Sequence, residues 1–317
     1  MLILPTSFQE VLLLALSIFL SLSSIAKAGP DPGQPPVLGK LVEVGGYRVH
    51  IYCTGEGSPT VVVASGGFSF DWGLVQPQVA QFTRICTYDT AGTAWSDRVE
   101  ARPHPSCTDR VGELHTLLKN AGIDGPYVLV GFYVGGLVAR LYASRYPAEI
   151  TGLVLVDHAF IATDDDTGSR PQGSISAAGL DGPPVLISKT PISLDLEDDQ
   201  NFSKLPKRDQ ELHRWALSIH SLRPTVEMAA ECFSEVNASE HNLSFPLENR
   251  PLAVVSTLYE SPSYTELQHK LLMLSHNSKQ LVAENSSHMV IIDQPEIVVR
   301  AIQEVVEKAK SHTGLKK

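Results

Sequence analysis

Residues Gly125 to Asp157 read GPYVLVGFYVGGLVARLYASRYPAEITGLVLVD. An apolar run, Tyr127–Val130, stops at Gly131, and a second, Gly152–Val156, follows about twenty residues later. Between them the spacing predicts a helix over roughly Gly135–Ser144. Short continuous Val/Leu runs suit strands buried on both faces. Two such runs bridged by a helix predict neighbouring parallel strands, because a parallel pair needs a crossover of this length. Gly131 and Gly135 flank position 133, where the chain must turn sharply from strand to helix, and glycine tolerates the close backbone approach of such a turn.

The same alternation extends in both directions. Strand-like runs occur at Lys40–Val44, Arg48–Cys53, Thr60–Ala64, Thr83–Tyr88, Leu252–Ser256 and Gln280–Ala283, making eight in all. Val111, Leu114, Leu117 and Leu118 fall on one face of a helix over Asp109–Asn120, and a last helix is expected from Pro295 to Lys310, with proline in its first turn. The expectation is an α/β fold with an eight-stranded, mostly parallel sheet covered by helices. Between Asp157 and Pro251 the pattern breaks. Residues 162–200 are rich in Gly, Pro, Ser and Asp, and helical faces follow at Leu212–Leu222 and Thr225–Val236. This stretch, with no clear strand, is read as a helical lid over 159–250 inserted into a core of 29–158 and 251–317. Asp164–Asp166 and Glu197–Asp199 lack calcium-loop spacing and read as solvated acidic faces.

Composition narrows the function. The chain has 317 residues, 43% of them hydrophobic, enough for a sizeable core. Acidic side chains outnumber basic ones 35 to 25, a net charge of -10 that opposes nucleic-acid binding. Neither a nucleotide fingerprint nor a Cys- or His-based metal spacing is present, so no cofactor and no metal are expected. Small molecules are the expected partners, and oligomeric state stays open.

Val11–Leu22, VLLLALSIFLSL, is a twelve-residue apolar run followed by Ala26-Lys27-Ala28. It is too short to span a bilayer and fits a cleaved export signal over residues 1–28, or else an uncleaved N-terminal anchor. The signal reading predicts a periplasmic or extracellular protein without a stable membrane span once the signal is removed. Export would permit disulfides. Gly29–Pro36 reads as a linker, and four Asn-x-Ser sequons begin at Asn201, Asn237, Asn242 and Asn285.

Gly131-Phe132-Tyr133-Val134-Gly135 has the G-x-nucleophile-x-G spacing of a nucleophile elbow. Together with SGGFSFDWGLVQPQVAQFTRICTYDTAGTAWSD over Ser65–Asp97, it gives the chain a resemblance, from about Leu38 to Val306, to the α/β-hydrolase superfamily. The likeness is closest to exported bacterial, serine-esterase-like hydrolases. The resemblance implies strand order 1-2-4-3-5-6-7-8, which makes the strands of Cys53 and Cys86 neighbours; these two form a disulfide or remain two buried thiols. It implies a general base at His288 and an orienting acid at Asp157, with Glu260 as the alternative acid. It also implies oxyanion donors in the backbone N–H groups of Val134 and Gly67.

Four departures bear on function. Phe132 and Tyr133 stand where the family carries a histidine and its nucleophilic serine, while Thr90 and Ala94 replace an arginine and a glycine of the family's YDRAGxGWS run. A phenol with its ordinary pKa near 10 is ionised about once in a thousand at pH 7, and its ring carries the oxygen beyond the serine position. Ordinary acyl-serine chemistry is therefore not expected. Three readings remain: a hydrolase of small esters, lactones or related acyl compounds using His288–Asp157; a catalytically silent relative that binds a small ligand; and cofactor-free proton abstraction by His288.

Overall fold

The computed structural model describes residues 33–64, 67–99, 105–158, 160–162, 174–176, 200–219, 228–240, 246–258 and 262–314. The expected signal, Ser65, Glu260, Asn242 and both acidic runs lie outside the described residues. Met1–Pro36 and Val37–Lys317 form two separate units, and the sheet belongs to the second.

The strands of this second unit are β1 (Lys40–Glu43), β2 (Arg48–Thr54), β3 (Thr60–Ala64), β4 (Ile85–Asp89), β5 (Tyr127–Phe132) and β6 (Ile150–Val156). After β7 (Phe160–Ala162) and β8 (Ser174–Ser176), the sheet resumes with β9 (Leu252–Thr257) and β10 (Ser278–Ala283). The eight sheet strands lie in the order β1-β2-β4-β3-β5-β6-β9-β10. Only the β1–β2 and β2–β4 pairs are antiparallel. The order agrees with that implied by the resemblance. Every residue of β3, β4, β5 and β9 is buried. That explains the continuous apolar runs of β3, β5 and β9, since helices cover both faces, while β4 also buries Thr87 and Asp89.

Those helices are α1 (Gln76–Val79), α2 (Cys107–Asn120), α3 (Val134–Arg145), α4 (Lys207–Ile219), α5 (Ala229–Glu240), α6 (Pro262–Leu272), α7 (Val290–Asp293) and α8 (Pro295–Gly314). Ser106 caps α2 by accepting from the Asp109 N–H, and the Asp109 carboxylate accepts from the Ser106 N–H in return. Along α8, Val298, Ala301, Ile302, Val305, Val306 and Ala309 are buried at helical spacing, forming its core-facing stripe.

Between β6 and β9 the structure differs from the expectation in detail. Two three-residue strands, β7 and β8, pair in parallel where no strand was expected. The expected helices become α4 and α5. The tripeptides FIA and SIS are too short to give a period-2 signal, which is why neither reads as a strand.

Disulfides fasten the fold at two places. Cys53 and Cys86, register partners on β2 and β4, are bonded. So are Cys107, at the first turn of α2, and Cys232, on α5. The first pairing was open from sequence, and the second was not anticipated. Among the described residues, no helix is long and apolar enough to cross a membrane.

Candidate active site

β5 runs into α3 through Tyr133, whose backbone sits at φ 52°, ψ −119°. That left-handed conformation is costly for a residue with a Cβ, on the order of 1 kcal/mol or more, and is kept only where the surroundings enforce it. Here the Tyr133 N–H donates to the Val156 carbonyl and the Gly136 N–H donates back to Tyr133. A Cβ on Gly131 would lie 2.5 Å from Gly136 Cα, so the turn closes only with glycine at 131. Gly136 is equally constrained, since a Cβ there would meet the His158 ring at 2.6 Å. Val134 and Gly135 occupy the first buried turn of α3. The Val134 N–H therefore belongs to the donors that a helix start leaves without an intrahelical acceptor. Gly67 is half-buried in the segment following β3.

His288 lies in the loop after β10. The Ser287 N–H donates to Asp293 Oδ2 at 2.7 Å and the Met289 N–H to Ser287 Oγ at 3.0 Å, tying the loop to the last residue of α7. Asp157 follows β6, with its N–H donating to the Val255 carbonyl at 2.8 Å and its φ at 37°. The two meet: His288 Nδ1 lies 2.5 Å from Asp157 Oδ2, and both side chains are 4% exposed. Residues 131 positions apart in sequence thus form a buried acid–imidazole pair beside the turn. Glu260, the alternative acid, is outside the described residues.

Tyr133 completes the cluster. It is 1% exposed, and its ring meets His288 edge-on with centroids 4.7 Å apart, while Phe132 stacks on His288 at 5.1 Å. Neither the Tyr133 hydroxyl nor His288 Nε2 has a hydrogen-bond partner among the described residues. Burial, and then the charge of Asp157, push the Tyr133 phenol well above its ordinary range. It is therefore a neutral phenol at any physiological pH, with neither the ionisation nor the hydrogen bond that an activated nucleophile has.

The remaining departures have structural counterparts. Ala94, where the resemblance leads one to expect glycine, adopts φ 42°, a conformation that favours glycine. Thr90 borders a cavity of about 10 Å³ with Ala64, Tyr88, Arg110, Val134, Val138 and Met228, room for about one water. Among the described residues, no group of three or more His, Cys, Asp or Glu side chains is placed to hold a metal ion.

A family model for the alpha/beta hydrolase fold matches residues 59–295. The chain belongs to that family. It is 32% identical over 152 residues to an uncharacterised protein of Schizosaccharomyces pombe, a match covering 38% of this chain and 28% of that protein, so the match spans little more than a quarter of that relative. It is 25% identical over 275 residues to the uncharacterised protein YqjL of Bacillus subtilis, covering 84% of this chain and 91% of YqjL. Among solved structures, a thermophilic esterase from Thermogutta terrifontis superposes with a TM-score of 0.59 at 19% identity, covering 85% of this chain and 98% of the esterase. At that identity the likeness concerns the fold.

The hydrolase-family chain also holds pairings that sequence reading missed. Tyr264, on α6, donates to Asp157 Oδ1 at 2.9 Å, and Thr257 Oγ1 donates to the same oxygen at 3.1 Å. His213 Nδ1, on α4, lies 2.7 Å from Asp71 Oδ1 in the turn after β3. Arg140 on α3 grips Glu240 on α5 with two hydrogen bonds, and its third nitrogen lies 3.3 Å from His158 Nε2. Of these residues, Thr257, Tyr264, His213, His158 and Glu240 lie outside the stretches that carry the resemblance.

Proposed function

We propose that this chain hydrolyses small acyl compounds, esters or lactones, with His288 activating water directly and Tyr133 taking no covalent part. The observation that carries the reading is the buried bond between His288 Nδ1 and Asp157 Oδ2, which leaves Nε2 without a partner among the described residues. With the Nδ1 proton donated to Asp157, Nε2 is the accepting nitrogen of a neutral imidazole. As the oxygen of water bonds to the acyl carbon, its proton passes to Nε2. The oxygen of the former carbonyl becomes an anion facing the N–H groups of Val134 and Gly67. Collapse breaks the bond to the leaving group, which departs with the proton held by His288, so that acid, alcohol and neutral base result. The insertion between β6 and β9 is read as the lid that excludes bulk water. Export of the protein is part of the same proposal, supported by the pairing of all four cysteines.

Short-chain aryl esters and lactones test the reading with wild type and His288→Ala. Slow turnover that His288→Ala reduces by on the order of a hundredfold supports it. Equal rates in the two proteins exclude it. A second reading, a silent relative that binds a small ligand, is favoured by the Tyr133 ring lying against His288. Calorimetric binding of a substrate-like acid without any turnover would establish that alternative.

A further inference from the structure

Asp157 makes more bonds than its pairing with His288 requires. While Oδ2 faces His288 Nδ1, Oδ1 accepts from the hydroxyls of both Tyr264 and Thr257. The Tyr264 oxygen in turn accepts from the Thr257 N–H at 3.0 Å. Asp157, Thr257 and Tyr264 are 4%, 4% and 3% exposed. The four side chains reach this point from separate elements: the end of β6, the end of β9, the first turn of α6 and the loop after β10.

Geometry gives this arrangement a purpose. A carboxylate bonded only to an imidazole can rotate about its Cβ–Cγ bond and present either oxygen. Two hydroxyls converging on Oδ1 remove that freedom and keep Oδ2 aimed at Nδ1. They also hold in place a residue whose backbone, at φ 37°, has no intrinsic reason to stay there. The Thr257 N–H orients the Tyr264 hydroxyl as a donor toward Asp157, so the direction of each hydrogen bond is set by the next.

We propose that Tyr264, assisted by Thr257, is a positioning residue for the His288–Asp157 pair: it locks the carboxylate, and through it the tautomer and orientation of the imidazole. Its kinetic consequences rest on the hydrolase reading above, but the positioning itself does not. A Tyr264 that merely fills space between α6 and β9 would have no influence on His288. The titratable groups set against the pair are Asp157 itself, Tyr133 at the turn and Tyr264 on α6. Both phenols are pushed upward by burial and by the charge of Asp157.

The test follows the imidazole of His288 by NMR titration of the full chain, assigned by comparison with His288→Gln, alongside ester turnover against pH. Tyr264→Phe removes one donor and leaves more negative charge on Asp157 facing Nδ1. His288 then titrates at higher pH, the acid limb of the turnover profile moves with it, and kcat falls about tenfold with KM little changed. Thr257→Val gives a smaller shift in the same direction, and Thr257→Ser, which keeps the hydroxyl, restores wild-type behaviour. Should Tyr264→Phe fail to fold, the Thr257 pair of variants carries the same comparison. A folded Tyr264→Phe whose His288 titrates as in wild type overturns the proposal, even if His288→Ala abolishes turnover and the hydrolase reading stands. The converse, a shifted His288 in a protein whose turnover ignores His288→Ala, keeps the positioning role and overturns the hydrolase reading.

Discussion

The rings of Tyr133 and His288 meet at 76°, centroids 4.7 Å apart, with the phenol oxygen and Nε2 both buried and unpartnered among the described residues. Edge-to-face contact stabilises the pair, whereas each buried polar atom left without a partner costs about 1–3 kcal/mol. Position 133 therefore combines a strained strand-to-helix backbone with the side chain of a packing residue.

Two substitutions at this position separate the roles. Tyr133→Ser places a small hydroxyl on the same strained turn, near the unpartnered Nε2. Ester turnover is expected to rise by on the order of a hundredfold or more, with covalent labelling by a serine-reactive phosphonate visible in intact mass. Tyr133→Phe removes only the unpartnered oxygen. It should leave the turnover proposed for the wild type intact and raise the unfolding free energy in urea by about 1 kcal/mol. Loss of turnover in Tyr133→Phe would make the phenol a participant and defeat the direct-water mechanism.

Much of this arrangement was legible in the residues because it is local. The run from Tyr127 to Val156 announces strand, tight turn, helix and strand through apolar continuity and through Gly131, whose Cβ would collide with Gly136. Neighbouring strands then follow from the crossover lengths. What escaped was long-range side-chain pairing. Tyr264 reaches Asp157 across 107 positions, His213 reaches Asp71 across 142, and Cys107 bonds Cys232 across 125. Each depends on where helices settle on the sheet, which periodicity does not specify. Helix α6 itself lies in an unremarkable stretch, PSYTELQHKLL, whose tyrosine has no motif around it.

Alkaline pH should expose the buried phenols. Tyr88, Tyr133 and Tyr264 are all pushed above their ordinary range, burial being the main cause in each. Below pH 10 folded and unfolded chains hold these protons equally, so the groups contribute no pH dependence there. Above pH 10 the unfolded chain releases them and the folded chain does not, so stability falls by about 1.4 kcal/mol per pH unit for each such group. Absorbance near 295 nm should show at least these three of the nine tyrosines ionising only as the protein unfolds. Full ionisation of all nine below the unfolding transition would contradict their burial.

The bond between α3 and α5 calls for a double-mutant cycle. Arg140 and Glu240 are 8% and 14% exposed, so removing one partner leaves the other charge largely desolvated. Arg140→Met is expected to cost about 3 kcal/mol or more in urea unfolding, and Glu240→Met a similar amount. The double variant should be far closer to wild type, because neither charge is then stranded. Additive losses in the double variant would mean that the two side chains act independently.

The disulfides act on the unfolded chain. Cys53–Cys86 closes a sequence separation of 33 and Cys107–Cys232 one of 125. Loop-closure entropy assigns them about 4 and about 5 kcal/mol, less whatever native geometry and residual unfolded structure take away. Intact mass after alkylation should show no modified cysteine without reductant, and four after reduction in denaturant. Replacing Cys107 and Cys232 together with alanine should lower the unfolding free energy by about 2–5 kcal/mol and speed amide exchange in α5. It should not free α5 completely, because Arg140 still grips Glu240 near the end of the same helix. Exchange in α5 as fast as in an unfolded chain would show that the disulfide alone holds it, and alkylation of any cysteine before reduction would refute the pairing.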